Sequence, residues 1–430
     1  MVISVTDLLQ LTGRTLFLFF ALSIFAGCND QLAESIPDFT ESNSGPYILN
    51  LSHLELIRDH QEHPVFSREL KDLLESADRI LGRNDFTYVT DKPSPPPSGN
   101  LHDYMSISRY LFPDSTGAYT VNRDGMTNPE IFNYDRPRLS DLSFSVYVLS
   151  LAYFFAGDEA YAEKASQLLQ NWFFNESTRM NPNMNHAQVA KNVNTGSAQG
   201  IIDANDFIRI IESASLLYES PYWTSNMHIK LKRWFYRFGS WVTSNYNPDA
   251  FCDPSWCNNI STWLDAQKAI YFLFTEQEEK LNTSRYIEPV SRKIALQFDE
   301  TGRQRFENRV LSQHYFYFNL KGFMQIALIR KYRGGSDRDW AVLDTDDYGG
   351  IRPSLDVIVR YLDGEPVSDF FRTGDSFHDC QYLRVLKPAA IAFQSEEYER
   401  AANLLLEAGC GDPVFTLTFP SLSLIAETDL

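Results

Sequence analysis

From about Tyr47 onward, apolar residues recur at helical rather than alternating spacing. Tyr161, Ala165, Leu168, Leu169 and Trp172 fall at i, i+4, i+7, i+8 and i+11, one face of a helix. Before them, Leu142 to Phe155 is almost continuously apolar and closes at Gly157-Asp158, a helix stop. The two stretches predict an antiparallel helical hairpin. Phe207, Ile210, Ile211, Ala214 and Leu217 form another stripe, with Asp203 as its expected N-cap. The same patterning predicts helices over about 66–82, 223–246, 261–276, 315–333, 378–394 and 396–408, the fourth of these stopping at Gly334-Gly335. Alternating runs joined by hairpin turns do not recur. The fold expected is all-α, a series of helical hairpins; set in a ring, these make an incomplete α/α toroid with a cleft at its centre.

The remaining segments divide the chain. Residues Thr15 to Ala26 are an apolar run too short to span a bilayer and of the length of a signal-peptide core. The run ends Phe25-Ala26-Gly27-Cys28, so 1–28 reads as an export leader, with Cys28 a candidate lipidation site and the chain secreted, periplasmic or at the cell surface. No other stretch is expected to cross a membrane. Residues 29–46 read as a polar tether, 47–410 as the helical domain and 411–430 as a short tail. Neither a clear repeat nor a linker between two comparable halves is visible. The connection between 84 and 137 is long and carries Pro93, Pro95, Pro96 and Pro97; ordered loops of that length in a helical protein tend to carry function.

Composition narrows the function. With 43% hydrophobic and 22% charged residues the chain can bury a large core. Aromatics at 14% suit either a core of large side chains or a cleft that stacks on rings. The net charge of −18 argues against a nucleic-acid binder, which needs a basic face. It does not exclude an anionic substrate, because net charge governs solubility and long-range steering rather than a local site. Basic residues that could line such a site include Lys191, Arg209, Lys230, Lys232, Arg233, Arg303, Arg305 and Arg309. Apart from Cys28, four cysteines remain (Cys252, Cys257, Cys380 and Cys410), an even number compatible with two disulfides, and Cys252 and Cys257 are close enough in sequence to pair. A zinc site is the rival, but there is no CxxC and no flanking His.

Three polar segments stand out: Met180-Asn-Pro-Asn-Met-Asn-His-Ala-Gln188 followed by Asn194 to Asp203; Cys257-Asn-Asn-Ile-Ser-Thr-Trp-Leu-Asp265; and Arg309 to Leu320, with Tyr315 and Asn319. Together with the early segment Thr90-Asp-Lys-Pro, His102-Asp-Tyr-Met-Ser106, Arg123-Asp-Gly and Asn128-Pro-Glu, their order and spacing resemble the alginate lyase family of α/α-toroid polysaccharide lyases, over about residues 86–395.

The resemblance implies β-elimination on a polysaccharide containing uronic acid. The sugar's C5 proton is weakly acidic, so its carboxylate must be neutralised, a base must take the proton and an acid must protonate the leaving O4. By residue matching it implies that Asn258 and Asn259 hold the carboxylate and Tyr315 is base and acid. Arg309 would support the charge and favour the phenolate. It implies an anionic polysaccharide as partner, with His186, Gln188, His102, Tyr104, Trp263 and His314 as further sugar contacts. No metal or cofactor is required by Tyr/Arg chemistry. One position departs from the family pattern: Asn-Asn-His reads Asn258-Asn259-Ile260 here. Ile cannot donate, accept or titrate, so Tyr315 does both proton transfers, or another His replaces the lost one, or activity is lost.

Plainer readings stand beside these. Tyr315 lies in Tyr-Phe-Tyr-Phe, a run that also suits core packing, and a slip of two residues would exchange it with Tyr317. Asn258-Asn259 suits a helix N-cap. Within the same fold the rival functions are a polysaccharide binder without catalysis and a glycoside hydrolase; the carboxylates at Asp344, Asp346 and Asp347 raise the latter but read better as a solvated loop.

Overall fold

The computed structural model describes residues 36–287, 289–308, 310–333, 350–367, 370 and 379–427. Cys28, the leader and the Asp344–Asp347 cluster lie outside the described residues, as does Arg309.

The helices are Leu51–Asp59 (α1), Pro64–Leu81 (α2), Asp135–Ala156 (α3), Glu159–Phe173 (α4), Phe207–Leu216 (α5), Ser225–Asn245 (α6), Asn259–Phe274 (α7), Val290–Gln297 (α8), Ser312–Arg333 (α9), Arg352–Leu362 (α10), Leu383–Phe393 (α11), Glu396–Glu407 (α12), Pro413–Thr418 (α13) and Leu422–Glu427 (α14). Neighbours pack as hairpins: α3 on α4, α7 on α9, α11 on α12, with α3 also against α2 and α5 and α9 against α11. This is the α/α toroid the apolar spacing predicts. Local chemistry sets the boundaries. Asp158, Thr224 and Ser395 cap α4, α6 and α12 through side-chain oxygens. Gly157 ends α3 at φ 69°, a left-handed geometry that favours glycine.

The core runs continuously through these helices, and most of the aromatic content is spent there. Phe173, Phe207, Trp234, Phe235 and Phe238 interlock at centroid distances between 4.8 and 6.2 Å. Helix α3 is long and apolar enough to cross a membrane by length and composition, but most of it is buried inside the fold. Its first residue, Asp135, pairs with Lys92 at 3.0 Å, both side chains fully buried.

Several expectations need correction. Residues 39–46 are not a free tether. Asn43 donates to the Ser215 carbonyl and Lys232 to the Ser42 carbonyl, while the carboxylate of Glu212 accepts the amides of Tyr47, Ile48 and Leu49. Buried in this way, Glu212 is pushed up to about 7. Residues 411–430 include α13 and α14. Asp203 is no helix cap: it lies inside a 3-10 helix, Ala198–Asp206, and its carboxylate accepts from Tyr104 and Ser106. Among the described residues six short strands are present where few were expected: Met105–Ile107 (β1), Leu111–Pro113 (β2), Tyr119–Asn122 (β3), His186–Val189 (β4), Cys252–Asp253 (β5) and Trp256–Cys257 (β6). At two to four residues each they are too short to show a period of two. β1 pairs in parallel with β4, β2 with β3 as a hairpin, and β5 with β6. The disulfide Cys252–Cys257 closes the last hairpin; a second joins Cys380 to Cys410.

Candidate functional site

A cleft of about 780 Å³ opens where the 105–124 loops, the 194–206 segment and α5 meet the first turn of α7 and one face of α9. It joins loop segments to regular helix. On α9, His314, Phe318 and Lys321 stand at i, i+4 and i+7, a single stripe facing the cleft, with Tyr315 beside it.

Tyr315 is nearly buried, and its hydroxyl is hydrogen-bonded to that of Tyr110, which reaches across from the loop between β1 and β2. The turn into α9 is held in an unusual backbone: Leu311 has φ 63° and accepts the Tyr315 amide at 3.2 Å. A second non-glycine residue at positive φ, Gln188 at 52°, lines the same cleft. Such conformations persist only where the surroundings over-determine them, and they concentrate at functional sites. At Gln188 the surroundings are a relay: its amide donates to Ser106 Oγ at 2.8 Å, and that hydroxyl donates to Asp203 at 2.6 Å. The 194–200 segment can lie against β4 only because residue 200 is glycine. A Cβ there would stand 2.5 Å from the Ala187 Cβ and 2.8 Å from its backbone.

Asn259 opens α7, and its backbone amide and Nδ2 both donate to Glu307 Oε1, at 2.7 and 2.8 Å. That bidentate hold fixes the orientation of the side chain at the cleft wall. Ile260, next to it, also faces the cleft. Asn258 does not line it; its Oδ1 accepts the Ile260 amide at 3.1 Å as the N-cap of α7. The disulfide-closed β5–β6 hairpin ends immediately before this cap and anchors it.

The other residues expected to touch sugar are placed as follows. Gln188 and His314 line the cleft. His314 stacks on Phe318 with rings 9° apart, and burial, then Arg109 and Lys321, push its imidazole down, towards the neutral form. His186 is buried, its Nδ1 bonded to the Thr195 carbonyl at 2.7 Å, and His102 bonds the Arg179 carbonyl at 2.6 Å; neither lines the cleft. Tyr104 and Trp263 need correction: both are core residues. Tyr104 is fully buried and donates to Asp203 at 3.0 Å, and Trp263 donates Nε1 to the Phe318 carbonyl at 3.1 Å. They position the Asp203 relay and α9 rather than contact a ligand.

The cleft also gathers residues that the motif reading missed. Arg109, Arg136, Arg209 and Lys321 line it, against the carboxylates Asp124, Asp203 and Asp206. Of the basic residues named from sequence that lie among the described residues, only Arg209 is among them. Arg136 pairs with both Asp206 and Asp203. Burial pushes Asp206 up, but Arg136 and Arg209 outweigh it and hold the carboxyl below the usual range. Asp203 is pushed up by burial despite Arg136. The signal for Arg109 and Tyr110 was an adjacent cation and aromatic in the long loop, three and four residues past His102-Asp-Tyr-Met-Ser106. Among the described residues no group of three or more His, Cys, Asp or Glu is placed to share a metal ion. A larger groove, about 1500 Å³, lies between α2, α12 and α14. Its charged lining mixes Glu69, Asp72, Glu396, Glu399 and Glu407 with Arg68, Lys387 and Arg400, and it holds no phenol pair like that of the smaller cleft.

A helical toroid whose cleft joins a phenol pair, an oriented amide and a group of cations suits a polysaccharide lyase. Residues 88–368 match the model of the alginate lyase family, and the chain belongs to that family. Among solved structures it is similar to the crystal structure of an alginate lyase from Bacteroides ovatus: 27% identity over 88% of this chain and 99% of the other, with a TM-score of 0.77. A comparison with curated proteins found no match.

Proposed function

We propose that the protein cleaves a polyuronate by β-elimination at this cleft, with the Tyr315–Tyr110 hydroxyl pair as the proton-transfer centre. The observation that carries the reading is that pair, set in a cleft with cations and an oriented Asn259. In the step, the carboxylate of the bound sugar is neutralised by Asn259 and a cleft cation, and by family resemblance Arg309 supports the charge and favours the phenolate. Ionised Tyr315 then takes the C5 proton. The C5–H electrons form the C4=C5 double bond, the C4–O4 bond breaks and O4 leaves with a proton returned by the phenol. Atoms and charge balance without a further reactant.

Ile260 narrows the substrate. With no titratable group at that position, base and acid are supplied from one phenolic locus on one face of the ring. That arrangement serves sugars whose C5 proton and O4 share a face, as in mannuronate and glucuronate, rather than guluronate. Incubation of the protein with polymannuronate, polyglucuronate and polyguluronate tests this. Ultraviolet-absorbing unsaturated ends are expected from the first or second and none from the third. Tyr315→Phe should abolish them; full activity in that variant would refute the assignment. Ile260 also favours a second reading, a relative that binds polysaccharide without cutting it, which binding with no unsaturated ends would support. We read residues 1–28 as an export leader, with Cys28 as a candidate lipid anchor; the two disulfides fit an oxidising compartment.

A further inference from the structure

Lys321 is the part of the cleft that the elimination step leaves unused. It stands six residues beyond Tyr315 on α9, about 9 Å further along the helix at 1.5 Å per residue. That is longer than one pyranose residue. Phe318 lies between them in the chain and also lines the cleft, its ring stacked on that of His314. The Lys321 Nζ sits 5.9 Å from the centre of the Trp263 ring.

Among the described residues no carboxylate forms an ion pair with Lys321, and no hydrogen bond to its Nζ is present. The nearby acids have other partners. Asp206 is taken by Arg136 and Arg209, and Asp412 by Arg384 at 3.0 Å. Burial, followed by Arg209 and Arg384, pushes Lys321 down to about 7, with Asp206 and Asp412 only partly opposing. A half-buried cation facing other cations is costly unless an anion arrives from outside. Cation–carboxylate hydrogen bonds are among the strong polar contacts available to a ligand.

We propose that Lys321, with Arg209 beside it, forms an anion subsite that takes the carboxylate of a uronate residue next in the chain to the one cleaved. The proposal rests on the lyase reading of the cleft. It makes Lys321 a specificity residue: it demands an acidic sugar at a neighbouring position and rewards chains long enough to reach it.

The test is calorimetric titration of saturated trimannuronate and of mannotriose, its carboxyl-free counterpart, into the full chain carrying Tyr315→Phe. Adding Lys321→Met should weaken trimannuronate binding about tenfold or more, the size of one charged hydrogen bond, and leave mannotriose unaffected. Lys321→Arg in the same background should restore most of the affinity. Arg209→Gln, checked by circular dichroism for a native fold, should weaken trimannuronate selectively as well. Equal affinities with and without Lys321→Met, or equal losses for both sugars, would overturn the subsite. If that happens while the unaltered protein still produces unsaturated ends, the lyase reading stands and this inference alone fails. Failure of any uronate to bind or be cleaved would overturn both.

Discussion

Removal of the Tyr110 hydroxyl is the sharpest probe of the cleft. Tyr110→Phe keeps the ring and deletes one partner of the Tyr110–Tyr315 hydrogen bond. Between two neutral hydroxyls such a bond contributes about 0.5–1.5 kcal/mol net, but with one partner ionised it contributes about 1.5–3 kcal/mol. In the proposed β-elimination Tyr315 reacts as the phenolate, so the larger figure applies to that form. At 1.36 kcal/mol per factor of ten, the expected loss in kcat/KM is about tenfold to a hundredfold. Because Tyr110 stabilises the ionised form preferentially, the rising limb of the pH–rate profile should also move to higher pH, and part of the loss should be recovered in alkaline buffer. The assay is formation of unsaturated ends on the best polyuronate across a pH series, with thermal melting as a control, since Tyr110 is only partly buried and its loss should leave the fold intact. A variant with full activity and an unmoved profile would refute the idea that the two phenols act together.

Three further outcomes follow from the structure. Gly200→Ala should destabilise the protein by about 1–3 kcal/mol through overpacking against the Ala187 backbone, and should reduce activity by displacing β4 and Gln188; melting temperature and rate check both. Acid should weaken the fold through two buried histidines, His53 and His228, which burial pushes down to about 4 and about 3. Their folded values lie below the unfolded one, so this stability is present above about pH 6.5 and is lost as pH falls towards 4. The loss reaches about 2 kcal/mol for each by pH 5, and His228→Phe should flatten the dependence in denaturant titrations. Ile260→His should widen the substrate range if the position limits the site to one face of the ring. The readout is unsaturated ends from polyguluronate, and no gain would mean that the restriction lies elsewhere.

The helical framework was legible in the sequence because each long helix buries one stripe or its whole length, and burial imposes a period that survives in the residues. Glu159–Phe173 and the helix carrying Tyr315 could be read within a few positions on that ground, and Asp135–Ala156 except for its first two turns. The order of polar segments likewise pointed to the family and to Tyr315 and Asn259. Placement needed the folded chain. Tyr104 and Trp263 lie within the same motifs as cleft residues, yet one hydrogen bond each, to Asp203 and to the Phe318 carbonyl, turns them into supports. Asn258 and Asn259 are adjacent, but the helix begins between them, so one caps and the other faces the cleft. Tyr110 and Lys321 gave little signal because their roles depend on contacts across the fold. A hydroxyl more than two hundred residues away meets Tyr315, and each neighbouring acid is already claimed by an arginine. Periodicity is a local property and can be read along the chain. A site is a convergence of side chains from separate elements, and only tertiary packing decides which of them meet.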